Sequence, residues 1–146
     1  LGFGIFSGIS ILNKKNVPVK DTGIQYTVAV DTVYYWIALI DNKEASKING
    51  FHINLADINS RNFSQDKLQI DNLLLNPNQQ MLLVRKFKTA EEAKNYYGYM
   101  HANTNVFKPF LPGTYETFYI SGINFHTMFN HRKADEYMKF FKDKGL

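Results

Sequence analysis

The chain has 146 residues, of which 45% are hydrophobic and 15% aromatic, enough for one packed domain that needs neither disulfides nor a metal to fold. It contains no cysteine, which excludes disulfide frameworks, thiolate metal sites and thiol nucleophiles. The formal net charge is +4 and comes mostly from lysine, whereas base and phosphate recognition favours arginine, so we expect no nucleic-acid partner.

Residues 1–31 are predicted to form an arm or linker, because several glycines and a proline interrupt every period in this stretch. Tyr26, Val28 and Val30 alternate with smaller residues and predict a short strand that could extend a sheet edge. No apolar run approaches the length of a membrane-spanning helix, so no direct membrane span is expected. The apolar opening lacks the basic residues of a signal peptide, so we expect a fragment or processed product, with any targeting segment upstream.

The first half of the domain is predicted to contain a strand, a helix and a second strand. Val33 to Ile40 is a continuous β-branched and aromatic run, which predicts a central strand. Asp41 or Asn42 is predicted to cap the following helix, with Glu44 at capping-box distance from Asp41. Helical spacing then relates Ile48, Phe51, Leu55 and Ile58. Leu68 to Leu75 predicts a second strand, which ends in an Asn-Pro-Asn turn.

The second half repeats this pattern. Gln80 to Phe87 predicts a third strand. Thr89 and Glu92 have the spacing of a capping box, in which the hydroxyl accepts from the backbone and the carboxylate reaches back. The apolar face of the helix that begins there is formed by Ala93, Tyr96, Tyr97 and Met100. Residues 103–113 are predicted to be a loop, and Tyr115 to Ser121 a fourth strand.

Two short helices are predicted to close the chain, one around Met128 and one around Tyr137. The order from residue 33 is β-α-β-β-α-β, the split βαβ of an α+β, ferredoxin-like fold. Right-handed crossovers would place both long helices on one face of a four-stranded antiparallel sheet. We therefore expect residues 32–146 to form the domain and residues 1–31 to precede it.

Strand alternation predicts which residues occupy each face of this sheet. We expect the helix-covered face to carry Ile37, Leu39, Leu82, Val84, Phe118 and Ile120. We expect the opposite face, here called the predicted open face, to carry Tyr34, Trp36, Leu83, Arg85, Thr117 and Tyr119. An exposed apolar patch of this kind is typical of a partner-binding surface. The alternative is that the arm or the closing helices cover it.

No pattern in the sequence indicates catalysis, a metal or a cofactor. His126 and His131 are five residues apart rather than four, so they do not form a helical metal pair. The serines lie outside nucleophile-elbow patterns. An aromatic sheet also suggests RNA recognition, but the third strand lacks the basic-Gly-aromatic pattern of such domains. We expect a protein that is not an enzyme.

The stretch from Met81 to Ala93 resembles the second half of sporulation-related repeat (SPOR) domains. In both, a strand with valine and arginine ends in an aromatic residue, and a helix opens with a Thr-x-Glu-Glu-Ala type of cap. The resemblance implies binding of peptidoglycan glycan strands on the sheet face.

A longer resemblance covers about 110 residues. It is carried by the motif from Ile120-Ser121 to Asn124-Phe125 after the last strand and by the segment from Tyr137 to Phe141 in the last helix. The segments resemble the C-terminal domain of Bacteroidetes tetratricopeptide-repeat lipoproteins of the SprE/PorW type, from the gliding and type IX secretion machinery. This implies a periplasmic domain, anchored to the outer membrane by an upstream lipid, whose partners are proteins of that machinery. Peptidoglycan binding, or a small-molecule regulatory domain of the ACT kind, are the alternatives.

Overall fold

The structure, a computed structural model, describes residues 24–28 and 32–146. Its described part is α+β, with a four-stranded antiparallel sheet and four α-helices, as predicted. The elements in chain order are β1 (Tyr34–Asp41), α1 (Ile48–Asn62), β2 (Gln69–Asn76), β3 (Gln79–Phe87), α2 (Ala90–Ala102), β4 (Tyr115–Ser121), α3 (Gly122–His131) and α4 (Asp135–Asp143).

The sheet has the strand order β2-β3-β1-β4, and every neighbouring pair is antiparallel. β1 lies in the middle and is buried along most of its length, which agrees with its continuous apolar sequence. Trp36 lies opposite Val84 of β3 and Tyr119 of β4. β2 and β4 form the two edges.

α1 and α2 cover one face of the sheet. α1 buries Ile48, Phe51 and Leu55, which recur at helical spacing, and the Trp36 ring lies 5.4 Å from Tyr96 of α2. Trp36 is 0% exposed and packs against Tyr96 and against Phe107 in the segment after α2, so it is a fully buried part of the core. The predicted stripe of α1 is therefore confirmed, except that Ile58 is only half-buried.

The predicted assignment of residues to the open face is wrong. Residues directly opposite each other in antiparallel strands share a face, so Trp36, Val84 and Tyr119 lie together under α1 and α2. By alternation, Tyr34 and Thr117 lie there too, whereas Leu83, opposite Ile37, lies on the other face. Nearly every position of β1 is apolar, and β4 is apolar from Phe118 to Ile120. A two-residue period therefore does not show which set faces the helices, and an assignment shifted by one residue reverses both faces.

α3 and α4, the two predicted closing helices, cover the opposite face and the β4 edge. The Phe125 ring of α3 packs against Tyr35 at 5.3 Å. The Tyr137 hydroxyl of α4 donates to the Tyr119 carbonyl at 2.7 Å. The sequence left open the alternative that the closing helices cover the face that the long helices do not. These contacts support that alternative.

Residues 24–28 pack on these closing helices rather than on the sheet. The Thr27 backbone exchanges two hydrogen bonds with the Asn124 side chain, at 3.2 and 2.7 Å. The predicted strand from Tyr26 to Val30 is absent over residues 26–28, and its remainder lies outside the described residues. The alternation of Tyr26 and Val28 reflects contact with helices, since the Tyr26 and Tyr137 rings lie 5.1 Å apart.

The segment after β1 begins as a 3-10 helix (Asn42–Lys47) before α1. The Asp41 side chain accepts from the Lys43 backbone, as a cap should. Glu44 does not complete a capping box, because its carboxylate instead accepts from the Leu111 backbone at 2.8 Å. The predicted cap is thus correct at Asp41 and wrong at Glu44, where a contact distant in sequence takes the side chain.

The cap of α2 is confirmed. The Thr89 hydroxyl accepts from the Glu92 backbone at 3.1 Å, and the Glu92 carboxylate accepts from the Lys88 backbone at 2.9 Å. The predicted loop that follows α2 contains a 3-10 turn, Thr104–Phe107. Phe107 and Phe110 of this loop pack around Phe51, which closes the open end of the core.

Candidate functional site

The outer edge of β4 carries backbone groups that face away from the sheet. Asp41 donates its backbone N–H to the Thr114 carbonyl at 2.9 Å, and Gly122 donates to the Val33 carbonyl at 2.9 Å. These two hydrogen bonds lie at the two ends of the β1–β4 pairing. Hydrogen-bonded residues alternate along an antiparallel strand, so the even-numbered residues of β4 are those that bond to β1. The odd-numbered residues, Tyr115, Thr117 and Tyr119, therefore direct N–H and C=O outward.

α4 covers one part of this edge and leaves another part uncovered. The outward carbonyl of Tyr119 is taken by the Tyr137 hydroxyl. Among the described residues, none bonds to the outward backbone groups of Tyr115 or Thr117. A short stretch of β4 is thus an unpaired sheet edge, the kind of surface that accepts another strand.

This stretch forms the floor of a cavity of about 270 Å³, which we name the β4-edge groove. One wall comes from α2 and the other from α4. The groove is lined by Tyr97, His101, Tyr115, Glu116, Thr117, Phe118, Met138, Phe141 and Lys142.

The walls of the β4-edge groove are mainly aromatic and are held in place by the core. The Tyr97 ring lies 5.4 Å from Phe141, so the two helices are in contact at the groove. Phe141 also packs against Tyr119 at 5.1 Å. Burial raises the pKa of Tyr97 above its ordinary value of 10, so its hydroxyl is neutral well beyond physiological pH. The walls are therefore apolar surfaces with neutral polar tips.

Polar groups lie at the rim of the groove. The His101 Nε2 atom lies 3.3 Å from the Thr117 hydroxyl, which joins α2 to the strand edge. Glu116 and Lys142 are exposed and of opposite charge. Such a site can align a peptide backbone through hydrogen bonds and accept its alternate side chains on aromatic surfaces.

Of the six residues of the predicted open face, the structure brings one to this groove. Thr117 lines it, whereas Tyr34, Trp36, Leu83 and Tyr119 are buried. Arg85 lies elsewhere, on β3, where its Nε atom pairs with an Asp71 carboxylate oxygen at 2.6 Å. Four of the six side chains are buried and Arg85 lies on β3, away from Thr117, so the six do not form a common binding surface.

The sequence interpretation missed the groove residues contributed by the helices, since Tyr97 and Phe141 were read only as core positions. One feature of the sequence could have indicated that the edge of β4 is available. In a β-α-β-β-α-β order the last strand lies at an edge, so its outward backbone is available unless something covers it. How far α4 covers that edge depends on tertiary packing alone.

Another cavity is less suited to a partner. A cavity of about 420 Å³ lies at the end of the sheet, between the β2–β3 turn and Gly113, and its lining is mostly polar loop. Within the part of the chain that the structure describes, no three His, Asp or Glu side chains are grouped as a metal site. No helix in the described ranges is long and apolar enough to cross a membrane.

Comparison with known proteins yields no match: no family model, no curated protein and no solved structure matches the chain.

Proposed function

We propose that this chain is a non-enzymatic protein-interaction domain that binds an extended segment of a partner protein along the β4-edge groove. The observation that supports this most is the unpaired outward backbone of Tyr115 and Thr117 between two aromatic walls. Adding a strand there would satisfy up to four backbone groups, each contributing about 1 kcal/mol net.

The proposal includes the finer arrangement of the fold. The strand order β2-β3-β1-β4, with α1 and α2 on one face, supports a ferredoxin-like β-α-β-β-α-β core. In that arrangement β4 is an edge strand by topology. α3 and α4 are then additions that cover the second face and part of this edge.

A single extended segment fits the groove better than a second copy of this domain. Only two residues of the edge face outward uncovered, and α2 and α4 rise on both sides. A peptide strand is narrow enough to enter between two helices, whereas the edge of a folded sheet brings its own covering helices. The side chains of the bound strand would alternate, one set towards Tyr97 and His101 and the other towards Met138 and Phe141.

Glycan binding on a sheet face has less support. The SPOR resemblance implies an open face, but Ile37, Leu83 and Phe118 on the face away from α1 and α2 are buried. We propose, from the longer resemblance, that the partner belongs to a gliding or type IX secretion complex on the periplasmic side of the outer membrane. A pull-down on glycan strands that lack stem peptides tests the glycan alternative directly.

Substitution of Thr117 tests the groove. A displayed library of short linear peptides is selected against the wild-type domain, and the affinity of the selected peptide is measured by calorimetry. Thr117→Pro removes an outward N–H and places the proline ring in the groove, while the β1–β4 bonds stay intact because they involve even-numbered residues. We expect the affinity to fall at least about tenfold, since one lost hydrogen bond and a steric clash together exceed about 1.4 kcal/mol.

Thr117→Val is the matched control, because valine keeps the N–H and the shape and loses only the hydroxyl. It should bind the peptide within about threefold of wild type, which corresponds to less than 1 kcal/mol. Equal binding by Thr117→Pro, with its fold verified by circular dichroism, would contradict the proposal. So would a library that yields no binding peptide while denuded glycan strands retain the domain.

A further inference from the structure

The outer edge of β2, on the opposite side of the sheet from β4, also carries backbone groups that face away from the sheet. Just beyond β1, Asn42 donates its backbone N–H to the Asn78 carbonyl at 2.8 Å, so the even-numbered residues of β3 bond to β1 and the odd-numbered ones to β2. Those odd-numbered residues lie opposite odd-numbered residues of β2. The even-numbered residues of β2, Ile70, Asn72 and Leu74, therefore direct N–H and C=O outward.

Little covers this edge in the part of the chain that the structure describes. The Leu74 carbonyl accepts from Arg132 Nη1 at 3.4 Å, which is long for such a bond. No described residue bonds to the outward backbone groups of Ile70 or Asn72. Exposed edge strands are commonly protected by lysine, proline or a bulge, but these three residues are uncharged, and the pairing with β3 shifts register only after Leu74. Ile70 to Leu74 is thus a regular and unprotected edge.

Exposed apolar side chains lie beside the same edge. Leu74 is 54% exposed, and Ile53 of α1 is 61% exposed. Ala56 and Ser60 follow Ile53 at helical spacing and line a cavity of about 410 Å³ between α1 and β2, so Ile53 lies on the side of α1 towards β2. Ile70 lines the same cavity. An exposed leucine and a partly apolar cavity therefore lie on one side of the molecule, along one strand.

Antiparallel pairing with a second copy of this chain matches these features in a single register. With Asn72 opposite Asn72 of the second copy, Ile70 lies opposite Leu74, and all three outward residues are paired at once. Opposite residues share a face, so the Leu74 side chain of each copy lies beside the cavity that Ile70 lines in the other. The one charged residue in this stretch, Asp71, already pairs with Arg85 at 2.6 Å, so the contact buries no unpaired charge.

We propose that this chain forms a two-fold dimer in which β2 pairs antiparallel with β2 of a second copy, about Asn72. The two four-stranded sheets then join into one continuous sheet, with β4 at both outer edges. The β4-edge groove stays free in each copy, so the dimer would present two grooves. The paired stretch is much shorter than the roughly 20–30 residues per side of a standard interface, so the dimer dissociates on dilution.

Sedimentation velocity of the whole chain, from about 10 µM to about 1 mM, tests the dimer over the range in which a small interface associates. We expect monomer at the lowest concentration and dimer at the highest. Asn72→Pro removes the central outward N–H and places a ring at the edge, while the β2–β3 bonds stay intact because they involve odd-numbered residues. It should raise the dissociation constant at least about tenfold, which corresponds to the loss of the central pair.

Thr117→Pro is the matched control, because it makes the same change at the opposite edge of the sheet. It should dimerise like wild type, and Asn72→Pro should bind the peptide selected for the β4-edge groove like wild type. The dimer and the groove can therefore fail independently. A wild-type chain that stays monomeric throughout, or unchanged dimerisation of a folded Asn72→Pro, would overturn the proposal.

Two charge variants test the register. Asn72→Lys and Asn72→Asp each place like charges opposite each other at the two-fold axis, so each alone should dimerise roughly threefold to fivefold more weakly than wild type. Mixed in equal amounts, they place opposite charges there, and the mixture should dimerise more tightly than either variant alone. Absence of this rescue would show that Asn72 does not lie opposite itself.

Discussion

Glu44 illustrates how one carboxylate connects distant parts of the chain. It is 5% exposed, and it accepts from the Leu111 backbone at 2.8 Å and from Lys47 Nζ at 3.1 Å. The Leu111 hydrogen bond and the lysine hold the pKa of this carboxyl below its ordinary value of 4.5. Its charged form therefore ties the loop after α2 to the beginning of α1.

Glu44→Gln should destabilise the fold, and the effect should depend on pH. Because the folded pKa is lowered, the carboxylate stabilises the fold fully above its ordinary pKa and loses that contribution as the pH falls through the folded value. We expect a lower urea midpoint for the variant at pH 7, and a difference from wild type that shrinks in acid. Urea unfolding followed by circular dichroism across this range measures it.

Asp57→Asn is the control for this prediction. Asp57 pairs with Arg61 on the surface of α1, with both side chains more than half exposed, so the pair contributes little. A Glu44→Gln midpoint no lower than that of Asp57→Asn would show that the Leu111 contact does not need the charge.

At the scale of the elements, α4 determines how much of the β4 edge remains uncovered. Its Tyr137 hydroxyl takes the Tyr119 carbonyl, and its Phe141 ring packs on β4. The sequence predicts α4 from its amphipathic spacing, but spacing does not say which surface the helix covers. The uncovered length of β4 is therefore a consequence of where α4 docks.

Two tyrosine-to-phenylalanine substitutions test this docking. Tyr137→Phe removes the hydrogen bond to the Tyr119 carbonyl and should lower the free energy of unfolding by about 1 kcal/mol. Tyr26→Phe, in contact with the same ring, removes a buried hydroxyl that has no partner among the described residues, so it should be neutral or slightly stabilising. Chemical denaturation of both variants measures the difference, and equal losses would argue against the Tyr137 bond as an anchor.

The strand faces show where element-level prediction stops. β3 was assigned correctly at Leu82 and Val84, which do lie under α1 and α2. On β1 and β4 the predicted faces are reversed. Both faces of β1 and of the second half of β4 are buried, so a two-residue period carries no information there. The pairing register, in which Trp36 lies opposite Val84 and Tyr119, is what relates one strand to the next.

For the whole molecule, the buried core includes the side chains of Tyr34, Tyr96, Tyr119 and Tyr137, which predicts a specific behaviour in alkali. Burial raises the pKa of Tyr96 and Tyr137 well above the ordinary value of 10, and that of Tyr26 to about 12. A raised folded pKa means that the unfolded chain ionises first, so these tyrosines stabilise the fold fully below pH 10 and progressively less above it.

A pH titration of tyrosinate absorbance, with circular dichroism in parallel, measures this. We expect Tyr96 and Tyr137 to ionise only as the structure is lost. In denaturant, all nine tyrosines should titrate together near pH 10. Ionisation of all nine at pH 10 with a native dichroism spectrum would contradict the packing of the core.

By itself, the sequence determined the local elements of this protein. Continuous apolar runs specify β1 and β3, the Thr89 and Glu92 pair specifies where α2 begins, and residue spacing specifies the α1 stripe. These features depend on interactions within a few residues, which the order of side chains states directly.

Tertiary structure alone decided which surfaces are covered and which remain available. The face of Trp36, the diversion of Glu44 to Leu111 and the uncovered edge at Thr117 all depend on partners far away in the chain. Strand register and helix docking set these contacts, and both are fixed by the packing of the whole core, which no local period encodes.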